Sequence, residues 1–412
     1  MKGLAVFPVL LCLLLGPPVF AADFVSGTRL YKQKDYTGAF RQWKPLAELG
    51  YPEAQNNLGW LYEHGKGAVR DLEAAFKWYR LAAKQGNVVA QTNLASMYEH
   101  GRGVSRSDQA ALRWYKIAAK KGDHVAQNSL GSMYQNGKGV AVDNEIAIKW
   151  YRLSAAQGNR HAQFNLGTRY QQGLGVDQDN KAAIKWFELA AAQRHAGAQY
   201  NLGWMYENGV GVARNEAKAL EWFESAAKNG NPLAQVNLGA RYQQGQGVAL
   251  DYKTAVKWFL AAAKQGDTRA QYSLGKMYQT GRGVTRDFES AARWFRSAAE
   301  EGHPAAQNLL GAMYSRGLGV TQDHRLAVDW YRRAAEQGDG TAQYNLGAKY
   351  ANGEGVKRDY VLAHMWWNLA ASRNNRNAPY SREQIENEMT TEEVQTARRF
   401  AAECEARRFR DC

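Results

Sequence analysis

The chain has 412 residues, a formal net charge of +14 and three cysteines. Its basic excess favours either a solvated outer face that keeps the protein soluble, or attraction to anionic lipid or polysaccharide. The only long apolar run lies near the start and is too short to cross a bilayer, which argues against a membrane-spanning chain.

The first segment has the order of features found in a secretory signal peptide. Lys2 precedes an apolar run from Leu4 to Leu15, and small residues follow up to Ala21. We expect cleavage after Ala21 or Ala22. The mature chain is therefore predicted to be exported, periplasmic or secreted, without a transmembrane segment, and nucleic acid is not expected as a partner.

A unit of 36 residues then recurs nine times without slippage, from residue 51 to residue 374. Its glutamine position is held by Gln55, Gln91, Gln127, Gln163, Gln199, Gln235, Gln271, Gln307 and Gln343. Such a unit cannot bury its apolar face alone and does so against its neighbours, which predicts a solenoid. A single-copy active site does not account for nine copies, so the pattern favours an extended binding surface.

Each repeat is predicted to contain two helices, helix A and helix B. Helix A starts at a capping residue such as Asn87 and carries Ala-Gln-x-x-Leu-Gly-x-x-Tyr, as in 54–62. A Gly-x-Gly-Val loop ends it, and a second cap such as Asp251 starts helix B, which carries Ala-x-x-Trp followed by an aromatic residue. A glycine inside helix A, such as Gly59, costs about 1 kcal/mol relative to alanine. Its repetition predicts close approach of another helix.

The full motif in register resembles the Sel-one-like repeat family, a relative of the tetratricopeptide repeat, over essentially the whole mature chain. This resemblance implies antiparallel helix pairs stacked into a right-handed superhelix, with helix A on the concave side. It also implies scaffolding, adaptor or regulatory roles, many of them in the bacterial envelope. The predicted fold class is all-α: a right-handed superhelical solenoid of nine repeats with a cap at each end.

The domain organisation follows from these signals. We predict a signal peptide over 1–21, a degenerate helical repeat over 22–50, nine repeats over 51–374, and a C-terminal capping helix within 375–412. Arg194 replaces the glycine that closes other repeats, and an altered turn using Gly197 is favoured over a changed superhelix pitch.

Two of the three cysteines, Cys404 and Cys412, lie in the mature chain. Eight residues apart on one continuous helix would place them about 12 Å apart, which is too far for a disulfide. A bridge requires the last helix to end near Arg407 and the chain to fold back. In an exported protein a disulfide bridge and two free thiols both remain as alternatives.

The predicted partner-binding groove uses variable positions two residues before and two after the leucine of helix A. Its aromatic members are Trp60, Phe164, Tyr200, Trp204, Tyr272 and Tyr344. Aromatic rings among amides favour recognition of an extended peptide, whereas the alternative is packing between neighbouring helices. Arg169 and Arg241 interrupt a methionine-rich position, and they either present charge to the groove or snorkel.

The sequence gives less support to a catalytic function than to binding of a partner. Ser-x-x-Lys occurs at Ser225–Lys228 and Ser273–Lys276, but at ordinary repeat positions and without the other motifs of a β-lactamase. We predict no catalytic residue, no metal site and no cofactor. The leading hypothesis is a scaffold, adaptor or regulator that binds a protein or peptide in the cell envelope. A scaffold that binds envelope or exopolysaccharide through its basic face is second, and a hydrolase is third.

Overall fold

The computed structural model describes residues 23–409 and 412. Within these residues the chain forms 22 helices and no strand. The predicted signal peptide over 1–21 lies outside the described residues. The chain divides into two compact units, Met1–Gln193 and Arg194–Cys412.

The helices of the repeats have nearly uniform lengths and alternate between helix A and helix B. The first unit contains α1 (Phe24–Lys32), α2 (Tyr36–Glu48), α3 (Pro52–His64), α4 (Leu72–Lys84), α5 (Val88–His100), α6 (Asp108–Lys120), α7 (His124–Asn136), α8 (Asn144–Ala156), α9 (Arg160–Gln172) and α10 (Asn180–Ala192). The second unit contains α11 (Ala196–Asn208), α12 (Glu216–Lys228), α13 (Pro232–Gln244), α14 (Tyr252–Ala263), α15 (Thr268–Thr280), α16 (Phe288–Glu300), α17 (Pro304–Arg316), α18 (His324–Ala335), α19 (Gly340–Asn352), α20 (Tyr360–Ser372), α21 (Ala378–Glu386) and α22 (Thr391–Ala406).

Inside each unit, every helix A packs against the helix B that follows it and the helix B that precedes it. The predicted all-α fold of stacked helix pairs is confirmed. The predicted boundaries also follow local chemistry: the Asp251 side chain accepts from the amides of Lys253 and Thr254 at the start of α14, and Gly101 ends α5 in a left-handed conformation with φ 65°.

The glycine inside helix A marks the close approach that the sequence predicts. A Cβ atom added at Gly59 would lie 2.9 Å from the Tyr79 ring, and one at Gly275 would lie 2.5 Å from the Phe295 ring. The ring that fills this space follows the repeated tryptophan by one residue. Phe295 is fully buried, whereas the preceding Trp294 is half-buried. In this repeat the deepest aromatic position is therefore not the tryptophan.

The repeated glutamine donates a hydrogen bond to a carbonyl at the end of the preceding helix. Gln127 Nε2 donates to the Ala119 carbonyl at 3.2 Å, at the C-terminal end of the preceding helix B, and Gln127 Oε1 accepts from Gln157 Nε2 at 2.8 Å. The last carbonyls of a helix have no partner inside it, so a buried helix end needs an outside donor. The side chain stays buried because it supplies that donor in repeat after repeat.

Arg194 closes its repeat in a left-handed conformation, with φ 60°. The prediction that this turn uses Gly197 is wrong, because Gly197 lies inside α11. At the equivalent position Gly158 has φ 83° and Gly230 has φ 90°, so the turn geometry is retained without glycine.

We expect Arg194→Gly to raise the free energy of unfolding by about 0.5–1 kcal/mol, because an L-residue pays for left-handed backbone that glycine adopts freely. Arg194→Ala is the matched control, since it removes the charge and keeps the Cβ atom. Chemical denaturation midpoints compare the two. Equal midpoints for the glycine and alanine variants would show that backbone strain at this turn is negligible.

The C-terminal region differs from the single capping helix expected. Residues 375–412 contain two helices, α21 and α22, and both pack on α20. A capping box of Thr390 and Glu393 begins α22. That helix ends at Ala406, the chain turns back, and Cys404 forms a disulfide bond with Cys412 at a Cα–Cα distance of 5.4 Å.

Candidate partner-binding surface

In the first unit, the predicted groove residue Trp60 is half-buried among other rings. It stacks on His64 with ring centroids 4.2 Å apart and meets Tyr31 edge-on at 5.1 Å. Phe164 is also half-buried and leans against Phe187 at 5.9 Å. Both predicted residues thus combine an exposed edge with packing inside their unit.

In the second unit, Trp204 stands apart from the other tryptophans. Trp204 is 40% exposed, whereas every other tryptophan of the described residues is half-buried or buried. It lies two residues after the buried Leu202 of α11, and the equivalent position of the next helix A is the small Ala240. The free face of Trp204 is therefore the largest exposed aromatic surface at the predicted positions.

Tyr200 lies one turn before Trp204 on α11 and is half-buried against Phe223, with ring centroids 5.6 Å apart. Burial raises the pKa of the Tyr200 hydroxyl, and the positive charge of Arg269 acts in the opposite direction. Arg269 itself pairs with Asp267 at 3.0 Å and keeps 57% of its side chain exposed. The surface beside Tyr200 is therefore both aromatic and cationic.

Two further predicted aromatic residues are held by neighbours. Tyr272 stacks on His303, with ring centroids 4.8 Å apart and planes 15° apart. The Tyr344 hydroxyl lies 3.4 Å from Ser381 Oγ on α21, so the C-terminal region partly covers this position. Of the predicted aromatic residues in the second unit, Trp204 is the most accessible to a partner.

The structure corrects the prediction for the two arginines. Arg169 and Arg241 are only 7% and 6% exposed, so neither presents its charge to a groove. Arg241 pairs with Glu207, donates from Nε to Asn237 Oδ1 at 2.7 Å, and lies over the Phe223 ring at 5.6 Å. A buried guanidinium needs such partners, and here it joins neighbouring repeats instead of binding a ligand.

Sequence reasoning missed a third buried cation at the same repeat position, Lys349. It is 6% exposed, and its amine donates to Ser315 Oγ at 2.6 Å and lies 3.1 Å from His324 Nδ1. Glu354 pairs with it, and the Lys349 amine lowers the pKa of that carboxyl group. The signal was present in the sequence as a charged residue in place of the usual methionine.

Histidine caps were also missed. His303 Nδ1 accepts from the Ala306 amide at 3.3 Å at the start of α17, where six of the nine repeats use Asp or Asn. Accepting requires the neutral ring, and burial lowers the pKa of His303 from 6.5.

We expect His303 to make stability pH-dependent. Because its pKa is lower in the folded state, the unfolded state binds more protons as pH falls below 6.5, and stability decreases until the folded pKa is passed. His303→Asn keeps a capping side chain and removes this titration. Denaturation midpoints at about pH 7.5 and about pH 5 should differ less for the variant than for the wild type. The same pH dependence in both proteins would contradict this assignment.

The serines of the two Ser-x-x-Lys pairs have ordinary helical roles. Ser225 Oγ donates to the Glu221 carbonyl at 3.0 Å, and Ser273 Oγ donates to the Arg269 carbonyl at 2.8 Å. Both hydroxyl hydrogens are therefore used inside their own helix. Among residues 23–409 and 412, no group of three His, Cys, Asp or Glu side chains is arranged to hold a metal ion.

Three arginines of B helices, which contribute to the basic charge of the chain, are used inside the protein. Arg152 donates to the Tyr170 hydroxyl at 2.9 Å, Arg296 to Tyr314 at 2.8 Å, and Arg332 to Tyr350 at 3.0 Å. These arginines join helix B to the next helix A. None of the described helices combines the length and apolar character needed to cross a membrane.

Stacked helix pairs with a variable, partly aromatic face on helix A define a helical-repeat scaffold, a class whose members generally mediate protein–protein interaction. The Sel1 repeat model matches this chain nine times, at 52–87, 88–123, 124–159, 160–195, 196–231, 232–267, 268–303, 304–339 and 340–375. The chain belongs to the Sel1 repeat family. The match indicates no enzymatic family.

Solved structures agree with this assignment. The chain is 36% identical to a protective antigen of uropathogenic Escherichia coli strains that displays an SLR fold, with a TM-score of 0.66, covering 94% of this chain and 85% of that one. It is 35% identical to a Sel1 repeat protein from Oxalobacter formigenes, with a TM-score of 0.53, covering 76% and 91%. A curated relative, DAP3-binding cell death enhancer 1 from Rattus norvegicus, is 48% identical over 46 residues, which is 9% of its length.

Proposed function

We propose that this protein is a non-catalytic adaptor or regulator of the cell envelope that binds a protein or peptide segment on the exposed face of its A helices. The proposed location in the envelope is supported by the predicted signal peptide, and the proposed binding of a protein or peptide is supported by the structure. The observation that carries the proposal is the exposed face of Trp204, in a fold whose other tryptophans are at least half-buried.

The chemistry around Trp204 favours a polypeptide partner. An exposed indole offers a large apolar area at small conformational cost, and tryptophan is enriched among residues that dominate protein interfaces. Lys276 is exposed at the equivalent position of α15, two repeats further along the chain, and Arg269 adds a second exposed cation on that helix. A partner segment with an apolar residue beside acidic residues complements this surface.

The polysaccharide alternative has less support. Its candidate surface is the basic face of helix B, where Arg152, Arg296 and Arg332 are engaged by tyrosine hydroxyls of neighbouring helices. The hydrolase alternative has less still, because the hydroxyls of Ser225 and Ser273 are hydrogen-bonded to helix carbonyls.

The test is partner capture at Trp204. A photo-crosslinking amino acid placed at the exposed Asn208, one turn after Trp204 on α11, should trap a protein from native envelope, which is then identified, purified and titrated against the protein. Trp204→Ala should weaken its binding by about tenfold or more, because aromatic hot-spot residues commonly contribute 2 kcal/mol or more. The melting temperature should fall less than for Phe223→Ala, since Trp204 is 40% exposed whereas Phe223 is 1% exposed.

Leu326→Ala is the matched control, because Leu326 is also 40% exposed but lies on a B helix. It should bind the partner like the wild type. Equal weakening by both variants, or full binding by Trp204→Ala, would show that the A-helix face does not carry recognition.

A further inference from the structure

A cavity of about 410 Å³ opens in the first unit where α1 and α2 meet the first repeats. This volume falls within the range of about 300–1,000 Å³ usual for binding pockets. Tyr31, Trp43 and Trp60 form its aromatic wall. Tyr31 meets Trp60 edge-on at 5.1 Å and Trp43 at 5.7 Å, so the rings hold one another in place and the wall is preformed.

Asparagine side chains form the polar side of the cavity. Asn93 Nδ2 donates to Asn56 Oδ1 at 3.1 Å, and Asn56 Nδ2 donates to Asn57 Oδ1 at 3.3 Å. These two hydrogen bonds use Asn93 Nδ2 as a donor and Asn57 Oδ1 as an acceptor. The side-chain groups that remain at the two ends are Asn57 Nδ2, which can donate, and Asn93 Oδ1, which can accept. An extended main chain requires both, because each residue carries an N–H and a C=O group.

The charge at the cavity has one sign. Lys32 on α1 lines it, and within the described part of the chain no carboxylate does. Lys32 is exposed, so its amine can reach a ligand at the mouth. Val89 on α5 adds an apolar edge with 53% of its surface exposed. The cavity therefore combines an aromatic wall, paired amide groups and a cation.

We propose that this cavity binds an extended polypeptide segment of a partner protein. A large apolar side chain of the segment lies against Tyr31 and Trp60, and its main-chain N–H and C=O groups pair with Asn93 Oδ1 and Asn57 Nδ2. An adjacent Asp or Glu of the segment lies near Lys32. The proposal rests on the proposed protein-binding function and adds a second, separate site with a defined ligand chemistry.

The experiment is selection of random dodecapeptides on the full chain, followed by titration of labelled winners with fluorescence anisotropy. We expect enriched peptides to contain a large apolar or aromatic residue next to an acidic one. Asn93→Ala should weaken their binding by about tenfold, and Lys32→Glu should weaken it further as the acidic residue meets a like charge. Raising the salt concentration should weaken binding to the wild type.

Asn165→Ala is the matched control, because Asn165 Nδ2 makes the same bond to Asn128 Oδ1 at 3.0 Å, two repeats away from the cavity. It should bind the peptides like the wild type and melt like Asn93→Ala. Enrichment of no peptide, or equal binding by Asn93→Ala and wild type, would overturn the proposal. Selective binding of a small molecule in place of peptides would overturn it too.

The two proposals fail separately. If Trp204→Ala loses binding of the native partner but Asn93→Ala leaves peptide binding unchanged, the proposal for this cavity is wrong and the proposed function stands. If peptide binding depends on Asn93 but Trp204→Ala binds the native partner fully, the proposed role of Trp204 is wrong and the proposal for the cavity stands.

Discussion

Phe223→Ala should lower the free energy of unfolding by about 3–5 kcal/mol, the usual cost of removing a large buried aromatic side chain. Phe223 is 1% exposed, and its ring approaches to 2.7 Å from the place where a Cβ atom at Gly203 would be. The Arg241 guanidinium lies 5.6 Å from the ring centroid. The substitution therefore opens a cavity and removes a contact that a buried cation uses.

Trp222→Ala is the comparison, since Trp222 precedes Phe223 on α12 and is only half-buried. Its loss should cost less, although a tryptophan is larger than a phenylalanine. Because repeat arrays can unfold in parts, hydrogen exchange over α11 to α13 should accompany the denaturation curves. Equal destabilisation by the two variants would contradict the assignment of the deepest position to the residue after the tryptophan.

Replacing Cys404 and Cys412 by serine should lower the stability of the C-terminal region by about 2–4 kcal/mol, the usual contribution of a disulfide. Arg408 and Phe409 both have left-handed backbone, with φ 55° and φ 64°. Phe409 is nevertheless 7% exposed, and the Arg373 guanidinium lies 4.6 Å from its ring centroid. The bond to Cys412 holds the chain in this turn.

Hydrogen exchange and limited proteolysis at α22 measure the effect. The double serine variant should lose protection there, and reduction of the wild type should reproduce the loss. Phe409→Ala, with the disulfide intact, separates the packing of the ring from the covalent link. Unchanged protection in the double serine variant would show that packing alone holds the C-terminal chain in place.

Much of the local structure was predictable because it repeats. The glycine at position 59 and its equivalents indicated close helix contact, since only a shared steric reason keeps a helix-destabilising residue in register. Caps such as Asp251 gave the helix starts. The caps at His195 and His303 were not predicted, because histidine accepts only in its neutral form and is an uncommon cap.

The candidate surface was predictable only in part. The positions around the helix-A leucine were identified from variability, but Trp204 is exposed while Tyr344 lies against Ser381. Which of these rings is exposed depends on what packs beside it, as Tyr31 packs on Trp60 and Ser381 of α21 lies against Tyr344. The same reasoning about one position assigned Arg241 to a groove, because a sequence does not show that Glu207 and Phe223 surround it.

The sequence by itself determined the repeat, the helix pairs and the family, because periodic apolar residues, caps and glycines act over short distances along the chain. Only the tertiary structure decided that Phe223 lies deeper than Trp222, that Arg169 and Arg241 are buried, and that Cys404 reaches Cys412. These outcomes depend on contacts between residues of different helices, or on a chain reversal beyond the last helix. Burial and pairing are set there by the space and the partners that packing provides.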